Sequence, residues 1–71
     1  MPLTDEELKR RFEYHAPNEA TKELHQSIRR LTMSTAQHLN LVLPEGREKA
    51  LAFTALEEMQ MWCHAAIARN L

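Results

Sequence analysis

Apolar residues crowd the last third of the chain. Between Arg47 and Asn70 they are Ala50, Leu51, Ala52, Phe53, Ala55, Leu56, Met59, Met61, Trp62, Cys63, Ala65, Ala66, Ile67 and Ala68. No single stripe holds them. Leu51, Ala55, Met59, Trp62 and Ala66 keep the three-and-four spacing of one helix face. Ala52, Leu56, Cys63 and Ile67 make a second face, and Phe53 and Met61 fall outside both. The stretch has no proline and no internal glycine, and it is rich in the strong helix formers Ala, Leu and Met. It predicts a helix over about 46–69, a rod of roughly 36 Å. A helix that is apolar most of the way round must be covered from more than one side. One neighbouring helix covers one side, so the pattern predicts a homo-oligomer with this helix at its seam.

Upstream, Ala20, Leu24, Ile28, Leu31, Thr35, Leu39 and Val42 recur in steps of four and three, with Lys22, Gln26, Arg29 and Arg30 opposite them. This predicts a helix over 19–42 whose inner face is the first set. Asn18 is a good N-cap, and Pro17 pushes Ala16 out of helical backbone. Pro44-Glu45-Gly46 leaves room only for a tight turn, so the two long helices fold back as an antiparallel αα-hairpin. At the N-terminus, Thr4-Asp5-Glu6-Glu7 reads as a capping box in which Glu7 reaches back. Acids in the first turn and Lys9, Arg10 and Arg11 in the last suit the helix dipole. A short helix over about 5–13 follows, with Leu8 and Phe12 as its apolar face. The expectation is one all-α domain over 1–71.

Charge barely alters this picture. Nine Lys and Arg stand against ten Asp and Glu, too balanced for wrapping a nucleic-acid duplex, so no DNA partner is expected. A small anionic ligand needs only a few well-placed cations. The single cysteine, Cys63, excludes an intrachain disulfide and reads as a small buried hydrophobe. No apolar run of roughly 18 residues predicts a membrane span, and MPLTDEELKRR does not look like a signal peptide. A cytoplasmic protein is expected.

Candidate chemistry is sparse. His15, His25, His38 and His64 form no metal-ligand spacing, so no metal and no cofactor are expected. They read as surface or interface histidines. Glu57 and Glu58 diverge on a helix and make no acid–base dyad; Glu57 suits an ion pair with an arginine at a seam. No nucleophile motif or glycine-rich phosphate loop is present, and an enzyme is not expected. Tyr14 and His15 precede a helix N-terminus, where anions are attracted and an aromatic ring can stack on a base. Arg29 and Arg30 suit forked contacts with phosphate. Read without a ligand, Tyr14 packs the short helix and the arginines form a solvated face.

The segments F-E-Y-H-A-P-N at 12–18, I-R at 28–29 and L-P-E-G-R-E-K-A-L-A-F-T-A-L-E-E-M-Q-M-W-C-H-A-A-I-A-R-N at 43–70 resemble the anti-CBASS and anti-Thoeris helical-hairpin family of phage proteins. The resemblance implies a short N-terminal helix and a helical hairpin, assembled as a homohexamer. It implies a sponge that holds cyclic dinucleotides such as cyclic GMP-AMP, and in some members cyclic trinucleotides, without cleaving them, in the host cytoplasm during infection. Relatives that take cyclic ADP-ribose-type signals give an alternative ligand, and an oligomeric adaptor for a protein partner is an alternative of another class.

The family's dinucleotide pocket uses a Tyr before the long helix and a basic residue from another subunit. Tyr14 and Arg29 match those roles, with His15 and Asn18 at the rim and Arg30 beside Arg29. The trinucleotide pocket uses an Arg on the last helix. The matching position here falls near Ala65, which leaves Arg47 or Arg69 to serve.

Overall fold

The computed structural model describes residues 2–71 and consists of three helices, α1 (Asp5–Phe12), α2 (Glu19–Val42) and α3 (Arg47–Asn70). Met1, the first residue of the expected 1–71 domain, lies outside the described residues. The fold is all-α: a short N-terminal helix, then two long helices packed as a hairpin.

Each end has a local cause. Thr4 Oγ1 accepts from the Glu7 amide at 3.2 Å and caps α1. The reciprocal half of the expected box is missing, because Arg10 and Arg11 both bond the Glu7 carboxylate, at 2.9 and 2.8 Å. Those guanidiniums hold the Glu7 carboxyl below the usual carboxylate range. At α2 the box does close, through Thr21: Asn18 Oδ1 accepts from the Thr21 amide at 2.9 Å, and the Asn18 amide donates to Thr21 Oγ1 at 2.8 Å. Gly46 is the N-cap of α3 rather than its first residue, with φ 157° and ψ −177°, a conformation reserved for glycine.

The face of α2 turned to α3 differs from the expected one. Ile28, Thr35 and Leu39 are half-buried, but Ala20, Leu24, Leu31 and Val42 are exposed, and the two buried residues of the helix are Thr21 and Thr32. The stripe is rotated because polar groups hold the seam. Thr32 Oγ1 meets Gln60 Oε1 at 2.8 Å, and His25 Nδ1 meets His64 Nδ1 at 2.5 Å. At the turn end, Lys49 is 9% exposed and its Nζ donates to the Asn40 carbonyl at 3.2 Å and to Glu45 Oε1 at 2.5 Å. An α3 side chain thereby serves a carbonyl of the last turn of α2, a group with no partner inside its own helix.

On α3 the two faces separate cleanly. Ala52, Leu56, Cys63 and Ile67 are half-buried against α2, while Leu51, Ala55, Met59, Trp62 and Ala66 are exposed. Phe12 and Leu8, the expected contact face of α1, are also exposed, Phe12 at 79%. The ties of α1 to the rest are polar: Arg10 Nη2 donates to Asn70 Oδ1 at 3.1 Å, and His15 Nε2 lies 2.8 Å from the Arg10 carbonyl. Among the described residues no apolar side chain is fully buried. The radius of gyration is 15.7 Å, against about 11 Å for a compact chain of this length. The thinnest dimension is 12 Å, so the helices lie side by side in one layer.

Candidate ligand-binding site

Two of the clefts among the described residues hold candidate residues from the sequence. The first, of about 300 Å³, lies where the α1–α2 connection crosses the end of α3. Its walls include Tyr14, His15, Thr21, His25, Ile67 and Leu71. Pro17 and the closed Asn18–Thr21 box fix the connection's backbone here, so Tyr14 projects from a defined position and is 85% exposed. His15 is half-buried, and its Nε2–H donates to the Arg10 carbonyl. That bond leaves its Nδ1 as an acceptor.

The second cleft, of about 240 Å³, runs along one side of the seam and is largely apolar. Phe53 and Leu56 line it, and Arg29, Glu57, Thr32 and Gln60 are its polar lining residues. The expected pairing of Glu57 with an arginine is not made within the chain: among the described residues Glu57 has no ion pair, although it shares this cleft with Arg29.

The seven residues singled out from the sequence are therefore not gathered in one place. Tyr14 and His15 share the first cleft, and Arg29 lines the second. Asn18 Oδ1 is already occupied by the Thr21 amide, so its first role is to start α2. Arg30 is exposed on α2. Arg47 and Arg69 stand at opposite ends of α3, about 33 Å apart along its axis, and cannot grip one small ligand from a single chain.

A family model described as "Acb2/Tad1, hairpin domain" matches residues 4–68. The chain belongs to the Acb2/Tad1 hairpin family. Acb2/Tad1 proteins are phage anti-defence sponges for cyclic nucleotide signals and are not catalytic. The match spans α1, the connection bearing Tyr14, and nearly all of the hairpin, so the second cleft and all of the first except Leu71 fall within the Acb2/Tad1 domain. No curated protein and no solved structure matches the chain. No described helix is long and apolar enough to cross a membrane.

Sequence reasoning missed the residues that join the helices, Thr32 with Gln60, Lys49 with Asn40 and His25 with His64, and the burial of Thr21. A signal for them existed. In an antiparallel hairpin, residues at matching distances from the turn face one another. His25 and His64 stand 19 and 18 residues from the Pro44–Gly46 turn, and Asn40 and Lys49 stand 4 and 3 from it, each pair within one residue of a match.

Proposed function

We propose that this chain sequesters cyclic dinucleotides of the cyclic GMP-AMP type, without cleaving them, in the cytoplasm of a phage-infected bacterium, and so silences CBASS-type signalling. The observation that carries this reading is the division of labour between the clefts. Tyr14 and Arg29, the stacking ring and the phosphate-binding cation, do not share a cleft in one chain. They meet only if a second subunit brings its Arg29 to the first subunit's Tyr14.

The exposed face Leu51–Ala55–Met59–Trp62–Ala66, together with Leu24 and Leu31, supports such an assembly, which we take to be a homohexamer. Repetition by symmetry suits a ligand with two bases and two phosphates, because copies of one site grip both halves alike. Tyr14 stacks on a base, Arg29 holds a phosphate with Arg30 beside it, and His15 offers its Nδ1 to a base N–H. Asn18 shapes the rim through the backbone it caps. A cyclic trinucleotide would need Arg47 or Arg69 from a further subunit.

Titration calorimetry and native mass spectrometry with a panel of cyclic dinucleotides, cyclic trinucleotides and cyclic ADP-ribose isomers test this. The expected result is an oligomer that takes up a fixed number of cyclic dinucleotides and releases them unchanged on denaturation. Tyr14→Ala and Arg29→Ala should each abolish that uptake while the oligomer persists. Uptake of the ADP-ribose isomers alone would move the ligand to a Thoeris-type signal, and unchanged dinucleotide binding by both variants would overturn the pocket.

A further inference from the structure

His25 and His64 meet edge to edge across the seam, with their Nδ1 atoms 2.5 Å apart, their ring centroids 4.7 Å apart and their planes inclined by 29°. That approach requires one proton between the nitrogens, since two lone pairs or two N–H groups would repel. In a neutral pair, one ring therefore donates from Nδ1 and the other accepts there. The donating ring has a bare Nε2, and the accepting ring carries its proton on Nε2.

The surroundings choose between the two arrangements. His64 Nε2 is buried without a partner, whereas His25 is half-buried, lines the Tyr14 cleft, and has no intrachain bond at Nε2. Stranding an N–H in the interior is the rarer and costlier outcome. His64 thus donates from Nδ1 and keeps Nε2 bare, and the second proton resides on His25 Nε2. Burial first, and then the charges of His25 and Arg29, disfavour any additional proton on His64.

We propose that His25 is a further ligand-binding residue, an Nε2–H donor in the Tyr14–His15 cleft for a phosphate oxygen or a nucleobase acceptor, with His64 as the positioning residue that fixes its tautomer. The inference rests on the sponge reading above. It gives the cleft complementary functions, an acceptor at His15 Nδ1 and a donor at His25 Nε2.

Two experiments test it. Long-range nitrogen–proton NMR of the imidazoles, at a pH where both are neutral, should find His25 protonated at Nε2 and His64 at Nδ1; the reverse tautomers would overturn the proposal. In calorimetry with 3′,3′-cyclic GMP-AMP, His25→Ala should weaken binding about ten- to a hundredfold. His25→Gln, whose amide nitrogen restores a donor, should recover part of the loss. His25→Phe, which keeps a ring but no donor, should not recover it. Circular dichroism checks that each variant retains its helices. His64→Ala should weaken binding less than His25→Ala and leave the His25 ring in mixed tautomers by NMR. If His25→Phe binds as tightly as the wild type while Tyr14→Ala has lost binding, the donor role is wrong and the sponge reading stands. A wild-type chain that binds none of the panel removes both.

Discussion

The two faces of α3 differ in composition and in burial. The inner face, Ala52–Leu56–Gln60–Cys63–Ile67, is half-buried against an α2 stripe that contains Thr21, His25 and Thr32. The outer face carries Leu51, Met59 and Trp62, exposed by 53, 44 and 61%. The larger apolar groups are on the outside, the reverse of what one isolated chain would favour. The seam contributes register. Its polar contacts occur at fixed points, and sliding α3 by one turn would break the Thr32–Gln60 and His25–His64 bonds together. The outer face holds more of the apolar area, and on the assembly proposed above another copy would cover it.

The sharpest way to break this contrast is a charge on the outer face. Trp62→Glu should dissociate the proposed assembly, with native mass spectrometry reporting monomers of 8.3 kDa and circular dichroism reporting loss of most helix. A variant with wild-type mass and melting would show that the outer face has no partner.

A smaller effect is expected at the seam. Lys49→Met removes the partner of the Asn40 carbonyl and should cost about 1–3 kcal/mol in urea unfolding, with the oligomer mass unchanged where the protein is folded. Smaller still, Asn18→Ala should cost about 1 kcal/mol yet retain cyclic dinucleotide binding. A large loss of affinity at native stability would instead make Asn18 a direct contact.

The smallest effect is on pH. Burial, with the charges of His25 and Arg29 behind it, lowers the His64 pKa from its ordinary 6.5. Glu57, on the same helix and lining a surface hollow with His64, is the nearby acid. Because the folded chain takes up this proton less readily than the unfolded one, the stability is fully present above about pH 6.5 and is lost as pH falls below it. Thermal midpoints between about pH 8 and pH 5 should drop less in His64→Gln than in the wild type.

Much of this architecture was legible from residue order. Asn18 and Thr4 marked helix starts, Pro44–Gly46 marked the turn, and the two faces of α3 could be separated by spacing alone. The facing stripe of α2 was not legible in the same way. Counting leucines selected Leu24 and Leu31, because periodicity records which residues avoid water and not which neighbour covers them. The polar seam was hidden for a related reason: Thr32 and His25 look like surface residues until the opposing Gln60 and His64 are placed. Tyr14 and His15 were brought together by a short connection that the sequence fixes locally. Arg29 was not joined to them, since one chain carries that residue into the other cleft.

The single-layer shape has a consequence for timing. On the assembly proposed here, the chain's stability and its pocket both depend on encounters between copies, so both rise with protein concentration. A few molecules made early in an infection would be incomplete receptors and easy proteolytic targets. Past a threshold dose, the same molecules would become ordered and binding-competent together. Expression level would then decide when capture of the signal begins as well as how much is captured.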